Sequence, residues 1–163
     1  MKVLSDASPL ISLAEIGHLE VLPQLFSRIT VTAEVYSEVV VAGEGLAGAV
    51  QVATASWIDV RQPAGATAPL KGKWTLGRGE LTTIALAKEI GADLRLRDDY
   101  AARRFAEQQA LTVFGCVGVL ESAFRRGILS DLTEAYRKLA ASGAYIGEKI
   151  LTASLARLKQ PPL

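Results

Sequence analysis

The stretch Lys2-Val3-Leu4-Ser5-Asp6-Ala7-Ser8-Pro9-Leu10-Ile11-Ser12-Leu13-Ala14-Glu15-Ile16-Gly17 decides the fold class. Lys2 to Ser5 is a short, apolar-leaning run with the character of a buried strand. It stops at an acid, Asp6. Ser8 suits a helix N-cap, and Pro9 suits the first helical position. Gly17 suits the C-cap. A strand that ends on a carboxylate and passes straight into a helix opens a β–α unit.

The same alternation continues outward. Leu19 to Phe26 reads as a short helix and Arg28 to Val31 as a second strand. Thr32 caps a helix from Ala33 to about Val41. A break at Gly43 to Gly45 precedes an Ala-rich helix, and Trp57 to Val60 is a third strand. Arg61 to Gly77 is the longest loop, a length that often carries function in compact domains. A helix from near Gly79 to Ile90 closes at Gly91. Asp93 to Arg97 is a fourth strand. Asp98-Asp99 opens a helix through about Gln109, and Leu111 to Phe114 is a fifth strand. Helices over Val117–Arg126, Asp131–Ala141 and Ile146–Leu158 complete the chain. Strands alternating with helices predict an α/β domain with a mostly parallel sheet and helices on both faces.

The chain has 163 residues, half of them hydrophobic, which predicts one domain over 1–163 with a core of its own. Charged residues make up 21%, which excludes a disordered chain. Eighteen basic and seventeen acidic residues give a net charge of +1. That total argues against a polybasic nucleic-acid binder but not against a nuclease, because it hides the distribution. Residues 1–60 hold two basic and seven acidic residues, net −5, and residues 61–163 hold sixteen and ten, net +6. One Cys and one His exclude a Cys/His zinc site and a disulfide framework. This usage fits a reducing cytoplasm. The longest uncharged run, Gly45 to Ile58, is too short and too polar to span a bilayer. Asp6 arrives before a signal-peptide core could form, so neither a membrane nor a targeting segment is expected.

Parallel sheets place their sites in the crevice beyond the carboxyl ends of the strands. Asp6 follows strand one, and Asp98 and Asp99 follow strand four. Glu80 lies in the first turn of the helix leading into strand four. Glu38 lies on the helix after strand two. Each acid taken singly has a structural reading: Asp6 or Asp98-Asp99 as caps, Glu80 as a helix start, Glu38 as a solvated charge. Acids gathered on one edge repel one another unless a cation sits between them. Hard divalent cations take such oxygen ligands and activate water for phosphoryl chemistry. Lys71, Lys73 and Arg78 lie beside Glu80 in sequence, and Arg97, Arg103 and Arg104 flank Asp98-Asp99. They read either as a receiving surface for a phosphate backbone or as ordinary solvated charges. Trp74 is a base-stacking candidate or the cover of a core edge. Gly77-Arg78-Gly79 lacks the features of a P-loop.

The ordered set of segments resembles the PIN-domain family, in its small prokaryotic branch of formerly unknown function. Ser5-Asp6-Ala7-Ser8-Pro9-Leu10-Ile11 is similar to the family's opening motif. Ala33-Glu34-Val35-Tyr36-Ser37-Glu38-Val39 is similar to its second acidic segment. Gly77-Arg78-Gly79-Glu80 with Ile84-Ala85-Leu86-Ala87 is similar to the third, and Gly91-Ala92-Asp93-Leu94 through Asp98-Asp99 to the fourth. The resemblance implies a three-layer α/β/α domain around a central, mostly parallel five-stranded sheet. It implies a Mg²⁺- or Mn²⁺-dependent ribonuclease, VapC-like, the toxin of a toxin–antitoxin pair. It carries Asp6, Glu38, Glu80 and Asp99 over as catalytic and metal-holding residues, with Asp98 beside them and Ser8 orienting Asp6. RNA, a cognate antitoxin and a second copy of the chain are the implied partners. Thr82 stands where a second acid often follows Gly-Glu, and Cys116 stands where Thr is usual. Thr82 motivates an alternative, a catalytically weak or inert PIN-like module that binds RNA or protein. A third reading is a small-molecule phosphohydrolase on a related scaffold.

Overall fold

The computed structural model describes residues 1–65, 77–98, 112–144 and 146–163. Strand β1 (Val3–Ser5) leads into α1 (Ala7–Glu15) and α2 (Val21–Phe26). Strand β2 (Ile29–Thr32) leads into α3 (Ala33–Tyr36), which runs on as one π-helical turn, Ser37–Val41. Helix α4 (Ala49–Thr54) and strand β3 (Ile58–Arg61) follow. Helix α5 (Arg78–Ile90) precedes β4 (Leu94–Leu96). Strand β5 (Val113–Phe114) precedes α6 (Cys116–Arg125), α7 (Leu132–Ala141) and α8 (Glu148–Arg157).

The five strands form one parallel sheet in the order β3-β2-β1-β4-β5. From β1 the chain steps outward to β2 and β3 on one side, then to β4 and β5 on the other. The direction of winding therefore reverses between β1 and β4. A crevice opens at such a reversal, beyond the strands' carboxyl ends.

Two apolar layers sandwich the sheet. Val3, Ile29, Val31, Leu94 and Leu96 pack with Leu10, Leu13, Leu22, Leu120, Leu132 and Leu151 in the large core. On the opposite face Leu4 packs with Leu86 and Ala87 of α5. This is the expected three-layer α/β/α arrangement. Gly91 ends α5 in the left-handed region, at φ 61°, where a side chain would be strained. Among the described residues no helix is long and apolar enough to cross a membrane.

Several boundaries shift by a residue or two, and two differences from expectation bear on the site. Helix α1 starts at Ala7, so Ser8 is not its N-cap and Pro9 falls further into the first turn, where a missing N–H is still tolerated. Asp6 holds the cap position, yet its carboxylate makes no capping bond, because it is held elsewhere. The expected continuous helix over 33–41 changes to π geometry at Ser37. There Ala42 N–H donates to Ser37 C=O at 2.8 Å, a five-residue step.

Candidate active site

Side chains alternate between the two faces of a strand. Leu4, on the α5 side, is in register with Arg95 of β4. Asp6, two residues on, falls on the same side, and its N–H still donates to Leu96 C=O at 3.1 Å. Arg97 falls there too, two residues beyond Arg95. The face covered by α5 therefore gathers Asp6, Arg95 and Arg97 at the carboxyl edge, and α5 adds Glu80.

These four groups are joined. Arg95 Nη2 donates to both oxygens of Asp6, at 2.9 and 2.7 Å. Arg97 Nη2 donates to Glu80 Oε1 at 2.6 Å, and Arg97 Nε lies 3.8 Å from Asp6 Oδ2. Glu80 Oε2 accepts the Gly77 N–H at 3.0 Å, which caps α5. Asp6, Arg95 and Arg97 are buried, whereas the Glu80 side chain is about one-third exposed.

Glu38 comes from the π turn and is exposed at the rim. A Cβ at Gly79 would stand 3.2 Å from Glu38 Oε2 and 3.3 Å from Val35 Cγ2, so glycine lets α5 come this close. Asp6, Ser8, Glu38, Glu80 and Arg97 border one cleft of about 290 Å³. Burial lifts the Glu38 carboxyl above its ordinary range, and the charges of Asp6 and Glu80 lift it further. Burial also lifts Asp6. Arg95 and Arg97 pull it back without cancelling the effect, and Glu80 adds to the lift.

Asp6, Glu38 and Glu80 are thus brought together, as expected. Ser8 is exposed at the lip and makes no hydrogen bond to Asp6 among the described residues. Asp98 is placed differently. Its Oδ1 accepts the Cys116 N–H at 2.7 Å and its Oδ2 accepts the Cys116 S–H at 3.0 Å. It serves the start of α6 and is not among the residues that border the cleft with Asp6, Glu38 and Glu80. Arg97 was expected on an open basic flank, but it is buried and ion-paired to Glu80. Arg78 is exposed and lines a neighbouring hollow with Glu34 and Glu38. Asp99, Lys71, Lys73, Trp74, Arg103 and Arg104 lie outside the described residues. Thr82 is buried away from the cleft, with its Oγ1 2.9 Å from that of Thr32 and 3.0 Å from the Arg78 and Gly79 carbonyls.

Arg95 is the site residue that sequence reasoning passed over. The signal was present, because a strand buried on both faces of a parallel sheet is normally apolar throughout. In Leu94-Arg95-Leu96-Arg97 every second residue is an arginine, and each needs a buried counter-ion.

The donor set suits a hard divalent cation in kind: three carboxylates, with Glu38 accepting no hydrogen bond among the described residues. It is not a ready-made cage. Among the described residues no group of three or more His, Cys, Asp or Glu is placed to hold a metal. Mg²⁺ is commonly held by only one or two carboxylates together with waters and substrate phosphates. The cleft fits an ion held in that looser way.

A parallel α/β/α sandwich with acids from β1, α5 and the segment after β2 at its winding reversal defines a class of domain. A PIN-domain family model matches residues 2–160, and the chain belongs to that family. PIN domains are typically nucleases and generally use divalent metals. Among solved structures the chain is similar to a PilT N-terminus domain protein, SSO1118, from the hyperthermophilic archaeon Sulfolobus solfataricus P2. The TM-score is 0.56 at 19% identity, over 76% of this chain and 93% of that one, a likeness of fold. No curated protein sequence matches the chain significantly.

Proposed function

We propose that the cleft is the active site of a Mg²⁺- or Mn²⁺-dependent ribonuclease. The observation that supports this most is the convergence of Asp6, Glu38 and Glu80, from three separate elements, with the Glu38 carboxylate unengaged among the described residues. Those three would hold the cation, and Asp99 is the fourth candidate. Such an ion supplies an activated water and positive charge against a phosphoryl oxygen. The chain's own groups do the rest. Arg97 borders the cleft and keeps Glu80 oriented. Arg78 stands at the rim, where an incoming phosphodiester would pass. Lys71, Lys73 and Arg103 extend this basic side in sequence.

A role as toxin of a toxin–antitoxin pair, in the cytoplasm and held in check by a cognate antitoxin, rests on the family resemblance, as does a homodimer. Growth arrest on expression, relieved by a short neighbouring reading frame, is the outcome expected of that role.

The enzymatic test gives single-stranded RNA and single-stranded DNA to purified protein with Mn²⁺, beside an Asp6→Asn variant. Cleavage of RNA by the native chain and its loss by at least about 100-fold in the variant are expected, as for removal of a key electrostatic group. Equal cleavage by both would overturn the site assignment. A second reading, a PIN-like module that binds RNA without cutting it, is favoured by the Arg95 pairing with Asp6. It predicts RNA binding with no cleavage at any Mn²⁺ concentration.

A further inference from the structure

Arg95 reaches Asp6 in an unusual way. A structural arginine–carboxylate pair is normally a fork, two parallel bonds from two different nitrogens. Here both oxygens of Asp6 are served by one nitrogen, Nη2. Arg95 Nε is buried and has no hydrogen-bond partner among the described residues. A buried donor left without a partner is destabilising, so this pair is not the best arrangement available to either side chain. Arg95 is also 2% exposed, and it comes from the central strand next to β1. It supplies, from within the fold, positive charge that Asp6 demands, and it does not itself border the cleft.

We propose that Arg95 is an internal stand-in for the divalent cation, holding Asp6 when no metal is bound and giving it up when one enters. The inference rests on the reading of the cleft as a cation site. Arg95 and a cation compete for the same two oxygens of Asp6, so each weakens the hold of the other. The metal-free cleft is thereby kept folded, because a buried carboxylate keeps a partner. The price is a low affinity for free metal. A cation that brings a substrate phosphate with it gains an advantage over one that comes alone. The phosphate offers the displaced guanidinium a new acceptor. Metal and RNA are expected to bind cooperatively for this reason.

The test is calorimetry with Mn²⁺ alone on the full chain, in four forms: native, Arg95→Gln, Arg95→Lys and Arg78→Gln. Gln keeps a hydrogen-bond donor near Asp6 but removes the charge. Arg95→Gln is expected to bind Mn²⁺ at least about tenfold more tightly than native, the scale on which 1.4 kcal/mol separates two affinities. Arg95→Lys, which keeps a cation, is expected to stay within about threefold of native on the same scale. Arg78→Gln removes a nearby charge that does not touch Asp6 and is expected to change little. Equal affinity in native and Arg95→Gln overturns the stand-in role while leaving the cation site intact. An equal gain in Arg78→Gln overturns it also, because the effect is then one of net charge. Absence of Mn²⁺ binding in every form overturns both this inference and the metal-dependent reading beneath it. If Arg95→Gln does not fold, Mg²⁺ titration of the native chain followed by nuclear magnetic resonance of the arginine Nε–H groups decides. A shift of the Arg95 signal that saturates with Mg²⁺ supports the exchange, and an unmoved signal contradicts it.

Discussion

Glu38 is the acid of the cleft with no ion pair or hydrogen bond among the described residues. Its carboxyl is raised by burial and by the charges of Asp6 and Glu80, so the folded chain holds that proton more tightly than the unfolded chain does. The resulting contribution to stability is fully present below the unfolded value near 4.5 and is lost as pH rises through the raised folded value. At neutral pH an ionised Glu38 therefore opposes folding. Because Glu38 is exposed and solvent screens its charge, Glu38→Gln melted in chelator at pH 7.5 is expected to gain at most about 0.5 kcal/mol, about 1–2 °C in Tm. The gain should vanish toward pH 4, and its absence at pH 7.5 would show that the acids do not repel. Asp98 is the opposite kind of acid. Both its oxygens are engaged by Cys116, and Asp98→Ala is expected to cost about 1–2 kcal/mol in thermal unfolding. The same variant should leave Mn²⁺ affinity unchanged, and a large loss of that affinity would place Asp98 at the metal site. Topology alone placed Asp6, Glu80 and Asp98-Asp99 on one edge of the sheet, and Glu38 joined them through the family resemblance. Neither separated Asp98 from the others, because adjacent residues past a strand end point in different directions.

At the scale of elements, strands and helices were mostly legible from apolar runs and Gly breaks. The π turn was not. Its sequence, Ser37-Glu38-Val39-Val40-Val41, carries three successive β-branched residues that fit an α-helix poorly. That weakness lowers α preference but does not specify a wider turn. The consequence reaches the site, since the π turn carries Glu38 and Gly79 of α5 admits it. Another link between elements is hidden in Thr82. Its hydroxyl lies 2.9 Å from that of Thr32, tying α5 to the end of β2. Thr32 Oγ1 also accepts the Val35 N–H, which caps α3. Thr82→Val leaves the buried Thr32 hydroxyl short of a partner and is expected to destabilise by about 1–3 kcal/mol in urea unfolding. An unchanged midpoint would mean the hydroxyl pair does not hold the two elements. This packing also accounts for a Thr where an acid was looked for, because the position faces β2 and not the cleft.

For the whole molecule, a net charge of +1 becomes informative once divided. The acidic first 60 residues supply Asp6, and the basic remainder supplies Arg95 and Arg97, which both pair with it, so part of the charge asymmetry closes on itself inside the fold. The strand order was not legible, since alternation of strands and helices is compatible with several orders. Helices α6, α7 and α8 are joined by a polar cluster that runs from the buried Tyr136 and Ser154 out to the exposed Arg157. Tyr136 Oη lies 2.7 Å from Ser154 Oγ, Ser154 donates to Glu121, and Arg157 pairs with Glu121. Burial pushes the Tyr136 phenol up to about 12, although the Ser154 bond pulls the other way. The neutral phenol favours the fold below its ordinary value of 10, and that contribution is lost as pH rises through about 12. An absorbance titration should therefore show one phenol ionising late, a step absent in Tyr136→Phe. Ionisation of that group near 10 in the folded chain would contradict the burial argument.

The central claim is that Asp6, Glu38 and Glu80 form a cation-dependent phosphodiester-cleaving site. Single-turnover cleavage of labelled single-stranded RNA across a Mn²⁺ series, for native protein and Glu38→Gln side by side, tests it most directly. The account predicts native cleavage that rises and saturates with Mn²⁺, and a variant slower by at least about 100-fold at saturation. Cleavage independent of Mn²⁺, or equal in both proteins, would contradict it.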